Sequence, residues 1–387
     1  MEQYLFKEFS IIEKAASFVK IDDPKNTYLL GVQHLSYSTS VMFKFLIERG
    51  FLAKNIYLLG KCYSTNPYAV KILEDLGVNV SHESNKFNSH KNFDEQFDSY
   101  TNHYFSKIFK ILKGKTILLD DGAALLKLAS KLPLKSDIVA IEQTSAGYHR
   151  AKLLKNLSFP IINVARSDIK LNYESIFICR MISYKVSQLI NKNFKDNYSP
   201  RILIIGAGKI GLGVLSFIKT RYFVDIVDLE RKMSDFDINE LDERLFDYDV
   251  VIGATGNCSI SENKYQFLKP GAILISCSSS DREFDSVKIR KKIPLYFNCH
   301  RSIKVDGITL VNSGFPVNFD NSYLDSKEFQ LTRALLIFSI DQALKTNGFS
   351  KESFLELKNA EDIYKIYLEK FPESNIGIKK SEHEITF

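Results

Sequence analysis

The sequence predicts an α/β protein made of two doubly wound parallel-sheet domains, and three observations lead to that prediction. Short apolar runs alternate with amphipathic stretches over most of the 387 residues, as in parallel strands covered by helices. A polar stretch at 195–200 separates two such series, and a glycine-rich turn follows the first apolar run of the second series. The chain is also long enough to form two domains.

The first series predicts one α/β domain. Between its strands we expect helices at 40–49, 67–76 and 122–132. The predicted strands are 27–32, 56–59, 78–81, 116–120, 138–143 and 161–164.

The second series begins at Arg201 and predicts strands at 201–206, 223–228, 250–255, 272–278 and 308–313. Two long helical patterns, at 173–194 and 328–345, are interpreted as hinge helices that join the domains. The predicted domains are a substrate-binding domain at 1–180 and 323–387 and an NAD-binding domain at 198–322. Closure of one domain over the other is the expected gate, because the chemistry proposed below requires control of water.

Composition narrows the class of protein. Hydrophobic residues make up 45% of the chain and charged residues 25%, which is ordinary for a soluble globular protein. No apolar run reaches the roughly 18 residues of a membrane span, and the N-terminus lacks the pattern of a signal peptide. We therefore expect a cytoplasmic protein that does not bind membranes.

The five scattered cysteines and the net charge of +6 predict neither a metal site nor a nucleic-acid interface. Dispersed cysteines without paired spacing suggest reduced thiols and argue against a cysteine-based metal site. The positive charge is spread along the chain, and the lysines of 107–115 are interpreted as a solvated helix face.

A glycine-rich turn predicts a dinucleotide site. Gly206, Gly208 and Gly211 form GxGxxG between an apolar strand and a helix that starts near Lys209 and Ile210. The turn is Rossmann-like: its glycines permit a tight bend, close approach to a pyrophosphate and close helix packing. The alternative is a Rossmann unit that has lost its ligand.

The residues around this turn favour NAD. Asp228 ends the next strand, where a carboxylate can bind the ribose hydroxyls and disfavours the 2′-phosphate of NADP. Small residues after a central strand can line the nicotinamide side, although they also occur in ordinary strand-to-helix turns. The residues concerned are Ala254, Thr255, Gly256 and Asn257.

The order of several motifs resembles one known enzyme family. "GVQHLSYST", "LLDDGAALL", "IEQTSAGYHR", "FPIINVARSDIKLNYESIFICR", "GAGKIGLG" and "GATGN" occur in succession over most of 27–345. Together they resemble adenosylhomocysteinase, the NAD-dependent S-adenosylhomocysteine hydrolase. The resemblance implies oxidation of a ribose hydroxyl by bound NAD, elimination of a thiol, addition of water and return of the hydride.

The resemblance also implies catalytic residues. Lys170 matches the lysine beside the reacting hydroxyl, and a lysine withdrawn from water can act as a base. Glu174 stands where the family has an aspartate paired with that lysine. His34 and Asp121 match residues near the reacting sugar, and Cys179 matches a cysteine near the nicotinamide. These residues also have ordinary interpretations. Lys170 can be a surface lysine, His34 a structural histidine and Cys179 a core cysteine, and Asp120, next to Asp121, can cap the following helix.

The resemblance further implies contacts to the substrate. The candidate substrate-binding positions are Ser36, Ser38, Thr39, Gln143, Thr144 and Asn318, the last of which is also a candidate cofactor contact.

Several positions depart from the family pattern. Ser38 stands where an acid or amide reads adenine, Gln143 where a glutamate grips the ribose, and Ser279 where a histidine is expected. Neither the histidine that gates the adenine site nor the C-terminal arm that extends into the neighbouring protomer is recognisable. The redox half of the site is therefore expected to be retained while base recognition has changed.

Three functions remain open from the sequence. The first is an enzyme that uses bound NAD to oxidise a hydroxyl of another nucleoside or sugar derivative, with or without elimination and hydration. The second is a true S-adenosylhomocysteine hydrolase, and the third is a non-catalytic NAD-binding regulatory homologue. We expect a homodimer with a small-molecule substrate.

Overall fold

The structure is a computed structural model that describes residues 9–132, 136–155, 157–195, 197–319, 327–350 and 353–372. It divides into two compact units. The first unit comprises 1–85, 97–174 and 324–387, and the second comprises 86–96 and 175–323.

The strands of both units form two sheets. Their bounds are β1 Thr27–Gln33, β2 Ile56–Gly60, β3 Asn79–Ser81, β4 Lys115–Asp120, β5 Asp137–Glu142, β6 Ile161–Asn163, β7 Arg201–Ile205, β8 Phe223–Val227, β9 Val250–Gly253, β10 Ile273–Ser276, β11 Ile303–Val305, β12 Ile308–Leu310 and β13 Phe354–Glu356.

The helices follow the strand–helix alternation that the sequence predicts. Their bounds are α1 Ser10–Ala16, α2 Tyr37–Glu48, α3 Pro67–Asp75, α4 Phe93–Phe109, α5 Ala124–Ala129, α6 Ser145–Lys152, α7 Ser175–Asn193, α8 Lys209–Ile218, α9 Leu241–Arg244, α10 Ser286–Lys291, α11 Lys327–Lys345 and α12 Ala360–Lys370.

The first sheet has seven strands in the order β13-β6-β5-β4-β1-β2-β3, and all of its pairs are parallel. The chain winds outward in one direction from β1 and in the other from β4, so the sheet is doubly wound. Its central strands β1, β4 and β5 are buried nearly throughout, which explains their continuous apolar runs. The predicted α/β fold class is confirmed.

The second sheet has six strands in the order β11-β12-β10-β9-β7-β8. All of its strand pairs are parallel except β11–β12, which is an antiparallel hairpin. The hairpin turns at Asp306 (φ 50°) and Gly307 (φ 77°), and Asp-Gly is a favoured pair for a two-residue turn with positive φ.

Two elements near the C-terminus were not predicted. β13 has only three residues and pairs with β6, so it depends on a partner far away in sequence. α12 buries Ile363 and Tyr367 in the hydrophobic core of the first unit. Neither short segment has a strong local signal, and their long-range packing stabilises them.

The unit boundaries differ from the predicted domains in two places. The whole of α7 belongs to the second unit, whereas residues up to 180 were assigned to the first domain. Residues 86–96 also belong to the second unit, although they lie between β3 and most of α4. No sequence pattern distinguished this segment from an ordinary loop.

A buried arginine holds the 86–96 segment. Arg290 on α10 is fully buried and pairs with Asp281 at 2.6 Å. Its guanidinium also donates to three main-chain carbonyls, those of Ser89 (2.7 Å), Lys91 (3.1 Å) and Ser313 (2.7 Å). Because all these hydrogen bonds are made in a buried environment, Arg290 fixes the path of the segment.

We predict that Arg290→Met destabilises the protein by about 3–5 kcal/mol, because Asp281 would remain buried without its partner. Urea unfolding measures the loss, and amide exchange should accelerate first in 86–96. Lys292→Met removes an exposed positive charge next to the same helix and serves as the control. Equal stability of the two variants would contradict the role assigned to Arg290.

Candidate functional site

Polar side chains of the first unit collect at the carboxyl edge of its sheet, where β1 and β4 lie side by side. This is the point at which the strand order reverses, and doubly wound sheets bind ligands there. His34 follows β1, Lys61 follows β2, Asp121 follows β4 and Gln143 follows β5. The fold therefore brings three predicted site residues together with Lys61, which was not predicted.

Asp121 is the centre of this group. Its Oδ1 accepts a hydrogen bond from Lys61 Nζ and its Oδ2 one from Gln143 Nε2, while His34 Nε2 lies 3.3 Å from Oδ2. Burial alone would raise the pKa of Asp121, but the Lys61 charge, His34 and these hydrogen bonds outweigh it and hold the pKa below its ordinary range. The carboxylate is therefore ionised. Burial alone would lower the pKa of Lys61, but the Asp121 charge outweighs burial and raises this pKa above its ordinary value.

His34 is a neutral imidazole in this environment. Burial lowers the pKa of His34 to about 3; the charges of Lys61, Arg333 and Lys170 add to the lowering, and Asp121 opposes it. Its Nδ1 lies 2.5 Å from Ser64 Oγ, so both ring nitrogens have protein partners. This arrangement fits an imidazole that orients Asp121.

Two further carboxylates lie beneath this group. Asp120 accepts from the N–H groups of Asp121 (2.8 Å) and Leu126 (2.8 Å). Glu142 accepts from the N–H groups of Ala123 (2.9 Å) and Thr144 (2.8 Å). Burial raises the pKa of both carboxyls. Because these partners are backbone groups, they fix the loops that carry Asp121 and Gln143.

The two residues after β5 differ in their hydrogen bonding. The Gln143 side-chain oxygen is a buried acceptor without a hydrogen-bond partner among the described residues. The Thr144 hydroxyl donates to Glu142 (2.7 Å) and accepts from the Gly147 N–H (3.0 Å) at the start of α6. Gln143 can therefore accept from a ligand, whereas Thr144 caps a helix.

Three predicted substrate contacts form a hydroxyl cluster at the start of α2. Ser36 Oγ lies 3.1 Å from both Ser38 Oγ and Thr39 Oγ1, and Thr39 donates to the His34 carbonyl at 2.7 Å. Arg333 on α11 donates to Ser38 through Nε (3.1 Å) and to Ser36 through Nη2 (3.3 Å). Sequence reasoning missed Arg333, because it lies in a helix that reads as an ordinary amphipathic pattern.

Lys170 and Glu174 form an ion pair in the first unit, at 2.6 Å, with side chains that are 11% and 17% exposed. They bound a π-helical turn, Lys170–Glu174, and turns of this kind occur frequently at functional sites. Thr332 on α11 donates to the other Glu174 oxygen at 3.1 Å. Glu174 therefore fixes the position of the Lys170 ammonium.

The glycine turn of the second unit lies at the corresponding place in its sheet, where β7 and β9 are neighbours. Gly206 has φ 109°, and a Cβ there would lie 2.7 Å from the Ala254 carbonyl oxygen. A Cβ at Gly211 would overlap the Gly206 carbonyl, while a Cβ at Gly208 would have no atom within 4 Å. Gly206 and Gly211 are thus required for packing, and Gly208 leaves open space before the N-terminus of α8.

Asp228 approaches the same turn from β8. Its Oδ2 accepts from the Ala207 N–H at 2.6 Å, and its own N–H donates to Ser234 Oγ at 2.8 Å. Lys209 and Ile210 form the first turn of α8 beside Gly208. The carboxylate that the sequence assigns to the ribose therefore lies against the glycine turn.

The Ala254–Asn257 loop follows β9 and is held by a buried acid that the sequence analysis missed. Glu283 accepts from the Gly256 N–H at 2.7 Å and from Thr255 Oγ1 at 2.8 Å, and burial raises its pKa. Asn318 is 6% exposed and lies just beyond the bridge between Ser276, at the end of β10, and Pro316. Ser279, by contrast, is exposed.

Cys179 lies in the hydrophobic core between α7 and α8. It is 1% exposed, and burial raises the pKa of its thiol to about 11. A Cβ at Gly213 in α8 would overlap its sulfur, so this glycine permits close packing of the two helices. A chemical role for Cys179 stays a prediction.

Comparisons with known proteins identify relatives without a described activity. No family model matches the chain. It is 38% identical over 325 residues to two uncharacterized proteins of Mycobacterium tuberculosis, Rv0104 of strain H37Rv and MT0113 of strain CDC 1551. The match covers 81% of this chain and 63% of each relative, so the chain spans less than two thirds of their length.

Some solved structures have a similar arrangement. One polypeptide of the dipicolinate synthase of Bacillus halodurans matches with a TM-score of 0.41 and 11% identity, covering 85% of this chain and 100% of that one. NAD⁺-bound 3-phosphoglycerate dehydrogenase of Entamoeba histolytica matches with a TM-score of 0.38 and 11% identity, at 85% and 100% coverage. Membership of the adenosylhomocysteinase family stays a prediction.

Two kinds of feature are absent from the described residues. Within these ranges no helix is both long and apolar enough to cross a membrane. The same part of the chain contains no group of three or more His, Cys, Asp or Glu side chains placed to hold a metal ion.

We predict that His34 makes the protein sensitive to acid. Its folded-state pKa lies below the ordinary 6.5, so the unfolded chain takes up the proton first. The stability it contributes is complete above about pH 6.5 and is lost as the pH falls toward about 3, at up to about 1.4 kcal/mol per pH unit.

The measurement is the free energy of unfolding in urea at several pH values within that window. His34→Gln should flatten the decline relative to the wild type, and His82→Gln, which removes an exposed histidine, should not. Parallel curves for the wild type and His34→Gln would contradict a neutral, buried His34.

Proposed function

We propose that this chain is an NAD-dependent oxidoreductase that oxidises a hydroxyl of a nucleoside or sugar derivative. The observation that carries the proposal is the glycine turn, in which Gly206 and Gly211 are closed by packing while Gly208 is open. A ligand can therefore approach the backbone at Gly208, next to the N-terminus of α8, where the N–H groups attract phosphate.

The residues of the second unit fit NAD. The pyrophosphate would lie at Gly208 and the first turn of α8, and Asp228 would bind the adenosine ribose. The loop Ala254–Asn257, held by Glu283, would lie along the nicotinamide side. When bound, NAD⁺ accepts a hydride, with its two electrons, from the alcohol carbon and becomes NADH.

The hydroxyl proton must leave as the C=O bond forms, and Lys170 is its proposed acceptor. In this proposal the neutral amine form of Lys170 takes the proton, and the contact with Glu174 at 2.6 Å fixes the position of its nitrogen. The overall change is alcohol plus NAD⁺ to ketone, NADH and one proton, which this pair then holds. Thr332 keeps Glu174 in place during the transfer.

The network around Asp121 is proposed to orient the substrate. The buried, unpartnered oxygen of Gln143 can accept a hydrogen bond from a substrate hydroxyl. The ionised Asp121, held by Lys61 and His34, adds a fixed negative charge beside it. If elimination and hydration follow oxidation, as the family resemblance implies, the same groups bind the substrate in each step.

Two other functions are kept as alternatives. A true S-adenosylhomocysteine hydrolase would release homocysteine, which a thiol reagent detects; Ser38 and Gln143 argue against it, since they replace groups that the family uses for adenosine. A non-catalytic NAD-binding regulator would bind the cofactor and leave every alcohol unoxidised. Mass spectrometry of small molecules that co-purify with the full chain distinguishes among the candidate substrates.

We predict that Gly208→Ala weakens NAD binding by at least about tenfold while the free energy of unfolding changes by less than about 0.5 kcal/mol. Its Cβ meets no protein atom but would occupy the space of the pyrophosphate. Calorimetric titration with NAD⁺ measures the affinity, and Ser216→Ala on the exposed face of α8 is the control. Wild-type affinity of Gly208→Ala would disprove the proposed cofactor site.

We predict that Lys170→Ala lowers turnover by about 10²–10⁴-fold, the usual contribution of a general base, and leaves NAD affinity unchanged. Turnover is followed by NADH absorbance or by product analysis with nucleosides and sugars. Lys127→Ala, which removes an exposed lysine of the same unit, is the control. Equal turnover of both variants would exclude Lys170 as the base.

A further inference from the structure

Arg333 is a buried cation, and among the described residues no buried anion balances it. It is 5% exposed, and the described residues provide it with hydroxyl acceptors but with no carboxylate within ion-pair distance. A buried charge that is not paired destabilises a protein. In contrast, the two lysines near the site have carboxylate partners, Lys61 in Asp121 and Lys170 in Glu174.

The buried carboxylates described in the first unit form hydrogen bonds with groups other than Arg333. Asp120 and Glu142 accept from backbone N–H groups, and Asp121 is held by Lys61 and Gln143. None of these three carboxylates forms an ion pair with the Arg333 guanidinium.

The hydrogen bonds of the hydroxyl cluster run from Arg333 through Ser36 to Thr39 and the His34 carbonyl. Thr39 donates to the His34 carbonyl, so its oxygen can accept from Ser36, whose oxygen in turn accepts from Arg333. Only two nitrogens of the guanidinium, Nε and Nη2, donate to this cluster. The fork has five N–H donors, so donors remain for another acceptor.

The start of α2 adds to the same positive potential. Ser36 is the N-cap residue of this twelve-residue helix, and its side chain makes no capping hydrogen bond. The first-turn N–H groups of a helix lack intrahelical acceptors and favour negative charge. Arg333 and the α2 N-terminus thus converge on the hydroxyls of Ser36 and Ser38.

We infer that Arg333, with Ser36 and Ser38 at the start of α2, binds an oxyanion group, carboxylate or phosphate, of the substrate. This inference rests on the proposed function for the reacting hydroxyl, and it narrows the substrate to an alcohol that also carries such an anion. Arginine suits this role because its planar fork pairs with two oxygens of one group. The position that reads adenine in the resembling family, Ser38, would then contact the charged end of a different ligand.

The test uses the full-length chain and two probes, inorganic phosphate and malonate, at constant ionic strength set with sodium chloride. The unfolding midpoint is measured against probe concentration, because a ligand that binds only the folded state raises it. We expect at least one probe to raise the wild-type midpoint. A response to phosphate alone or to malonate alone identifies the type of oxyanion.

Arg333→Met should weaken this binding by about tenfold to a hundredfold, the effect of losing charged hydrogen bonds. Without a probe, its midpoint should equal or exceed that of the wild type, because an unbalanced buried charge has been removed. Arg333→Lys, which keeps the charge and loses the fork, serves if the methionine variant does not fold, and it should also bind more weakly. Lys345→Gln removes an exposed positive charge from the same helix and should bind as the wild type does.

The inference is overturned if neither probe exceeds sodium chloride in its effect, or if both Arg333 variants keep wild-type affinity. Its failure is distinguishable from failure of the proposed function. Gly208→Ala tests cofactor binding in the second unit and removes its glycine turn as a source of the phosphate response. The part of the anion response that depends on Arg333 should persist in this variant, whatever its effect on NAD.

Discussion

The ion pair between Lys61 and Asp121 is the interaction on which the candidate site depends. Both side chains are nearly excluded from water, and a buried carboxylate persists in its charged form only when a partner compensates the lost hydration. Once Asp121 is ionised, it fixes the Gln143 amide and faces the imidazole of His34. The orientation of Gln143 follows from this charge pair, whereas burial keeps His34 neutral although Asp121 opposes it.

The topology explains why these side chains meet. They follow four parallel strands, and the carboxyl ends of parallel strands lie on one edge of the sheet. The sequence could therefore indicate His34, Asp121 and Gln143 once their strands were recognised. Lys61 carried the same signal, since it lies just beyond the predicted strand 56–59, and it was overlooked because the family resemblance does not include it.

Other parts of the site could not be predicted from local sequence. Arg333 contacts Ser36 and Ser38 from a helix almost three hundred positions away in the sequence. Glu283, which follows β10 in the sequence, contacts the Ala254–Asn257 loop that precedes it. Such contacts depend on how helices pack on a finished sheet. The glycine turn, in contrast, was predictable because its requirements are steric and act within a few residues.

The path of the chain has a consequence for how the protein forms. The chain passes from one unit to the other four times, and α11 supplies Leu331, Leu335 and Ile337 to the core of the first unit. The first unit therefore cannot close until the ribosome has released α11. Residues 175–323, together with the earlier 86–96, emerge before that point, so the second unit can be the first to fold during synthesis.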